Sequence, residues 1–310
     1  MKNNKDLRVV FMGTPDFAVA SLSALVDANY NIVGVITAPD KPAGRGMKPT
    51  SSAVKEFALH HGLYLLQPEK LKAPEFLESL RALRADLQVV VAFRMLPEVV
   101  WNMPPLGTIN VHGSLLPAYR GAAPINWAII NGEKETGVTT FRLTHTIDTG
   151  NILMQDKVPI GEEQTAGELY DLLKSKGADL LIRTIKNLSE GKLKEITQSE
   201  TDSDSLPHAP KIFTETCRIN FDNPVRQVNN LIRGLSPAPG AFTQFQKKTL
   251  KIFRAVPAET AHPQTAGSFY TDGKTILRFF CADGWISVVE LQQEGKKKMK
   301  TEEFLRGYRP

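Results

Sequence analysis

A mostly parallel α/β sheet with helices on both faces, followed by a small, mainly β barrel, is the architecture that this 310-residue sequence predicts. Three observations predict it. Short β-rich apolar runs alternate with helical patterns over residues 1–189. The stretch 190–209 is then poor in apolar residues, and Pro207 and Pro210 punctuate its end, as in a linker. Residues 210–310 carry one helical segment and several short strand-like runs parted by Gly and Asp turns.

The first run, LRVVFMG (7–13), ends in glycine and leads into the helical pattern FAVASLSALVDA. Thr14 is placed to cap that helix and Pro15 to occupy its first turn. NIVGVIT (31–37), LQVVVAF (87–93) and GTINVHG (107–113) are further strands, with a helix near 51–61. The run of strands is Rossmann-like, but the first turn lacks GxGxxG, so a dinucleotide site has little support. A long helix follows: leucines and isoleucines at 169, 172, 173, 180, 181, 185 and 188 recur with helical spacing. The last third predicts a helix over Val225 to Leu235 and the strands GAFTQF, TLKIFRAV, GSFY, TILRFF and WISVVEL, an OB-like set.

Composition narrows the function classes. Hydrophobic residues make up 42% and charged residues 23%, as in soluble globular chains, and no run approaches the ~20 apolar residues of a membrane span. A short polar lead without the apolar core of a secretory signal points to the cytoplasm. Two cysteines, Cys217 and Cys281, without CxxC spacing predict buried thiols and no metal site. Residues 1–207 hold 22 basic against 24 acidic side chains, whereas residues 208–310 hold 16 against 9. The positive excess therefore lies in the last third, where an anionic partner would bind.

The chemistry concentrates in NVHGSLLPAYRGAAP (110–124). Asn110 and His112 lie two apart at the carboxyl end of a strand, so they share one face where such sheets bind ligands. Asp148, in THTIDTGNILMQ, lies in a turn between two strand-like runs. An amide, an imidazole and a carboxylate with no activated Ser or Cys suit acyl transfer to an amine that supplies its own nucleophile. Asn110 would stabilise the oxyanion, His112 would donate or shuttle a proton, and Asp148 would hold the histidine's charge state or order a water.

NVHGSLLPAYRGAAPINW together with DTGNIL resembles the signature of the folate-dependent formyltransferases. That resemblance implies transfer of a formyl group from 10-formyltetrahydrofolate, with Asn110, His112 and Asp148 as the catalytic trio. It places Ser114, Leu115, Leu116 and Pro117, and the segment Arg94, Met95 and Leu96, against the folate, and implies no metal. Within the family the chain is most similar to members whose acceptor is initiator methionyl-tRNA, and a monomer is implied.

Three regions carry that choice. The loop APDKPAGRGMKP (38–49), with Lys41, Arg45 and Lys48, is similar to one that packs against a tRNA acceptor stem. NLIRGLSPAPGAFT (230–243), with Arg233, resembles a motif of the family's C-terminal domain. Lys247, Lys248, Lys251 and Arg254, and the run Lys296, Lys297, Lys298 and Lys300, fit phosphate-backbone binding. Two positions depart from the family's pattern: Ala118 where a basic residue is usual, and Ala238 where an aromatic is usual. A sugar-nucleotide N-formyltransferase, a formyltetrahydrofolate hydrolase, a purine-pathway formyltransferase and a non-catalytic RNA-binding protein are the competing expectations. The 38–49 loop and the basic last third weigh against the sugar-nucleotide acceptor, and that third also argues against the usually shorter purine-pathway enzyme.

Overall fold

The computed structural model describes residues 6–43, 48–198, 205–258 and 264–307. The chain forms two compact units. The first holds the chain up to Arg120 with Gly137–Val158 and Asp171–Pro207; the second holds Gly121–Thr136, Pro159–Tyr170 and the chain from His208.

The elements run β1 (Arg8–Gly13), α1 (Asp16–Asp27), β2 (Asn31–Ile36), the hairpin β3 (Lys41–Ala43) and β4 (Lys48–Thr50), α2 (Ala53–His60), β5 (Leu65–Leu66), α3 (Pro74–Ala82), β6 (Leu87–Val91) and α4 (Glu98–Trp101). After β7 (Thr108–His112) come α5 (Pro124–Ile130), β8 (Glu135–Arg142), β9 (Ile152–Pro159) and α6 (Ala166–Ser189). The remainder comprises α7 (Val225–Gly234), β10 (Ala241–Phe245), β11 (Lys248–Ala258), β12 (Phe269–Thr271), β13 (Leu277–Phe280), β14 (Trp285–Gln293), β15 (Met299–Lys300) and α8 (Thr301–Arg306).

Seven strands form one sheet in the order β5-β2-β1-β6-β7-β8-β9, parallel from β5 to β7 and antiparallel between β7 and β8. Burial on both faces explains why β6, buried throughout, is apolar apart from Gln88. One core cluster gathers Val10, Met12, Ile36, Phe76, Leu80, Val90 and Val100. Under the site, α6 crosses β7 at Gly177, where an added Cβ would lie 3.0 Å from the Val111 side chain. The helix approaches the strand that closely because no side chain intervenes. One expectation fails at α1: Pro15 is the N-cap, no side chain caps the helix, and Thr14 lies before it.

In the second unit, β10-β11-β14-β13-β12 form an antiparallel sheet, with β15 paired to β14, that curls as a half-barrel. Irregular register around Arg254 in β11 supplies local bending. Val228 and Ile232 of α7 pack with Ile252, Phe279, Ile286, Leu291 and Phe304 in its core. Helix α5 belongs to this unit: Asn126 donates to the Gly234 carbonyl at 2.7 Å and Trp127 to the Pro210 carbonyl at 2.8 Å. Helix α6 opens with a capping box, in which the Thr165 N–H donates to the Glu168 carboxylate at 2.8 Å and the Glu168 N–H to the Thr165 hydroxyl at 3.3 Å. Cys217 and Cys281 are buried free thiols, and burial pushes the latter up to about 12.

No helix of the described residues is long and apolar enough to cross a membrane. Among the same residues, no group of three or more His, Cys, Asp or Glu is placed to hold a metal ion.

Candidate active site

Strand β7 carries Asn110 and His112 toward one face, because side chains two apart on a strand point the same way. Asn110 is paired with Val90 of β6 and Phe141 of β8, and His112 with Thr139 of β8. Phe141 meets the His112 ring edge-on, with centroids 6.4 Å apart. His112 is only 7% exposed, whereas Asn110 is partly buried and its amide makes no hydrogen bond among the described residues. That amide is therefore available to a ligand.

The histidine's tautomer follows from its partners. Nε2 lies 2.9 Å from the Tyr119 carbonyl, which can only accept, so Nε2 carries the proton. Nδ1 faces Asp148, 3.8 Å from Oδ2. In the neutral ring Nδ1 therefore holds a lone pair, and once protonated it faces a carboxylate. Asp148, 36 positions after His112 in sequence, is thus brought opposite its ring within the first unit.

The Ser114–Pro117 loop is held from below. The Thr139 hydroxyl donates to the Ser114 carbonyl at 2.6 Å and accepts from the Leu116 N–H at 3.1 Å. Gln155 donates to the Leu116 carbonyl at 2.8 Å and to the Thr139 hydroxyl at 2.9 Å. Ser114 is fully buried and donates to the Ala118 carbonyl at 2.7 Å, while Leu116 packs with Phe141 and Ile152. Their side chains face inward, which leaves Leu115 and Pro117, both partly exposed, as apolar surface on this loop. The segment Arg94, Met95 and Leu96 divides likewise. Met95 is 72% exposed, but Leu96 is buried in the core cluster with Val10 and Met12, so a ligand meets its backbone at most. Arg94 donates to the Pro68 and Glu69 carbonyls and so ties two loops together.

The loop bearing Asp148 connects β8 to β9. Asp148 adopts the left-handed conformation, φ +55°, which Asp tolerates better than most residues. At Gly150 an added Cβ would overlap the Arg142 carbonyl oxygen, so only glycine fits the turn. Glu195 closes the loop's base: it accepts from Arg142 Nε and from the Asn151 amide, each at 3.0 Å. Burial pushes the Glu195 carboxyl up, but the hydrogen bonds from Asn151 and Arg142 outweigh it and hold the group below its ordinary value. Gln198, 6% exposed, donates to the carbonyls of Asp148 and Gly150 at 3.0 and 2.7 Å. Neither Glu195 nor Gln198 carries a motif signal; both lie in the polar stretch that reads as a linker.

The basic residues separate into exposed and engaged groups. Arg233 does not present a charge to a polyanion. It is 7% exposed, and its guanidinium donates to Asn230 at 3.0 Å and to the Gly161 and Gln164 carbonyls at 3.2 Å. Burial, then the neighbouring Arg226, pulls its pKa below the usual arginine value. Its role is to join α7 to the 161–164 turn within the second unit. Arg254 pairs with Glu168, Lys298 with Glu290 at 2.7 Å, and Lys251 donates to the Pro239 carbonyl at 2.8 Å. Lys41, Lys247, Lys248, Lys296, Lys297 and Lys300 are exposed. Lys48 opens β4, and Arg45 lies outside the described residues. The root of that hairpin is anchored: Asp40 accepts from Lys55 at 2.6 Å and from Gln67 at 3.0 Å, and those bonds hold its carboxyl below the usual range.

Comparison with known proteins supplies the context. The Formyl transferase family model matches residues 7–185, and the model of the formyl transferase C-terminal domain matches residues 211–309. A methionyl-tRNA formyltransferase of Bacteroides fragilis is 54% identical over 310 residues, covering 98% of this chain and 96% of the relative. That of Porphyromonas gingivalis is 49% identical over 313 residues, covering 98% and 96%. Among solved structures, an N-formyltransferase from Helicobacter canadensis, in complex with folinic acid and dTDP-3-aminofucose, superposes with a TM-score of 0.67 at 21% identity, covering 93% of this chain and 99% of that one. HypX from Aquifex aeolicus with tetrahydrofolic acid gives 0.65 at 17% identity, covering 96% and 47%. At those identities the structures testify to fold alone.

Proposed function

This chain belongs to the formyl transferase family, whose two domain models match most of its length, and on that ground we propose that it formylates the α-amino group of methionine on initiator methionyl-tRNA, using 10-formyltetrahydrofolate as donor. The observation that carries the acceptor is near-full-length identity of about half with relatives named for that reaction. For the chemistry it is the shared strand face of Asn110 and His112, with Asp148 3.8 Å from His112 Nδ1.

In this reading the neutral amine attacks the formyl carbon directly, since an α-amino group of pKa ~7.7–8.0 is partly unprotonated near neutral pH. The Asn110 amide donates to the formyl oxygen as negative charge develops there, an interaction worth roughly 2.7–4 kcal/mol. His112 Nδ1 takes the proton released by the attacking nitrogen, while Nε2–H stays on the Tyr119 carbonyl. Asp148 steadies the imidazolium from 3.8 Å. The new C–N bond replaces the bond to the folate nitrogen, and the proton held by His112 can return to that leaving nitrogen. Leu115, Pro117 and Met95 offer the apolar surface that a flat pteridine needs, and Ser114, Leu116, Arg94 and Leu96 shape it from behind.

For the tRNA, Lys41, Arg45 and Lys48 would meet the acceptor end, and the exposed Lys247, Lys248, Lys296 and Lys297 would follow the phosphate backbone. The acceptor is a cytoplasmic species, and a monomer suffices because one chain carries both units. The test is formyl transfer to methionine charged on initiator tRNA, with charged elongator tRNA and an amino-sugar nucleotide in parallel. Product on initiator tRNA alone is expected. Product confined to the sugar nucleotide would overturn the acceptor while keeping the chemistry.

A further inference from the structure

We infer that Gln198 is a positioning residue for the reaction, setting Asp148 opposite His112 through the backbone of its loop. The inference rests on the proposed roles of His112 and Asp148, but not on the identity of the acceptor.

The side chain is fully used. Its Oε1 accepts from Arg120 Nε at 3.1 Å and Nη2 at 2.6 Å, which orients the amide unambiguously, because a guanidinium only donates. Nε2 is thereby turned toward the loop, where its two hydrogens go to the Asp148 and Gly150 carbonyls at 3.0 and 2.7 Å. Arg120 follows directly on Tyr119, the residue whose carbonyl holds His112 Nε2. One short chain of contacts therefore runs from the histidine's carbonyl partner, through Arg120 and Gln198, to the backbone of the aspartate that faces the other ring nitrogen.

The surrounding strap reinforces it. Ile196 and Ile152 exchange backbone hydrogen bonds, at 2.8 and 2.9 Å, and Glu195 bridges Arg142 and Asn151, which flank the loop. The strap thus holds the stems, and Gln198 reaches past them to the Asp148 carbonyl. A loop held only at its stems would let the carboxylate wander, and misplacement by about 1 Å costs roughly 10²-fold in rate.

The test uses the full chain with Gln198→Ala, Gln198→Glu and Asp148→Asn. Gln198→Glu keeps a partner for Arg120 but turns a carboxylate on two carbonyls, so it separates loss of the clasp from loss of folding. Both Gln198 variants should bind tetrahydrofolate as the parent chain does and, assayed well below their own thermal midpoints, lose about 10- to 100-fold in kcat with little change in KM. In the Asp148→Asn background, Gln198→Ala should add less than about twofold. Multiplicative losses there, or an unchanged kcat in the single variants, would overturn the inference. Amide hydrogen exchange over 143–151, which needs no acceptor, should rise in both variants, and unchanged exchange would equally overturn it. A parent chain inactive on charged initiator tRNA would defeat the acceptor assignment instead, leaving the exchange result to decide the strap.

Discussion

Asn110 and His112 stand on a strand hydrogen-bonded on both sides, to β6 and to β8, whereas Asp148 stands in a left-handed turn steadied by side chains from residues 195–198. The first arm of the site inherits its rigidity from the sheet. Its geometry changes only if the core changes. The second arm has no ladder of its own, and its geometry depends on Arg142, Asn151, Glu195 and Gln198 together with one obligatory glycine. The difference teaches where each arm is vulnerable: chemistry can be deleted from the strand without disturbing it, while the loop loses chemistry whenever its supports are changed.

The sharpest test of the first arm is Asn110→Ala. It should lower kcat by about 10²- to 10³-fold and leave the thermal midpoint and folate affinity nearly unchanged, measured by steady-state kinetics and calorimetry. A large fall in stability would show that the amide supports the strand as well. Gly150→Ala tests the second arm. Because its Cβ would overlap the Arg142 carbonyl, the loop must be rebuilt, with a loss of roughly 10²-fold in kcat and about 1–3 kcal/mol in urea unfolding. Full activity there would dissolve the contrast between the arms.

Thr139→Val should act more weakly on the chemistry. It removes the acceptor of the Leu116 N–H and the donor to the Ser114 carbonyl, at about 1–3 kcal/mol of stability, and should raise KM for the folate more than it lowers kcat. The smallest effect is expected from Lys297→Gln, an exposed residue of the second unit. It should leave kcat intact and reduce the salt slope of tRNA binding by about 0.7–0.9 if that lysine neutralises one phosphate, read from affinities across a salt series.

How far the sequence reaches can be seen residue by residue. It determined the parallel sheet, the long α6, the strands of the last third and the shared face of Asn110 and His112, because strand and helix periodicities are local properties of adjacent side chains. It also supplied Asp148, through a resemblance in its flanking residues. What it left undecided are the fates of polar side chains whose partners lie far along the chain. Arg233 resembles a phosphate ligand in a basic region, yet it is consumed by carbonyls 69 and 72 positions away. Leu96 is part of a folate-contacting segment by resemblance, yet it completes the core cluster of the first unit. Gln198 sits in a stretch with no pattern at all, and reaches Asp148 across 50 positions and Arg120 across 78. Periodicity records which way a side chain points from its own backbone; only the tertiary structure decides what stands in front of it, and for a buried polar group the identity of that partner is the function.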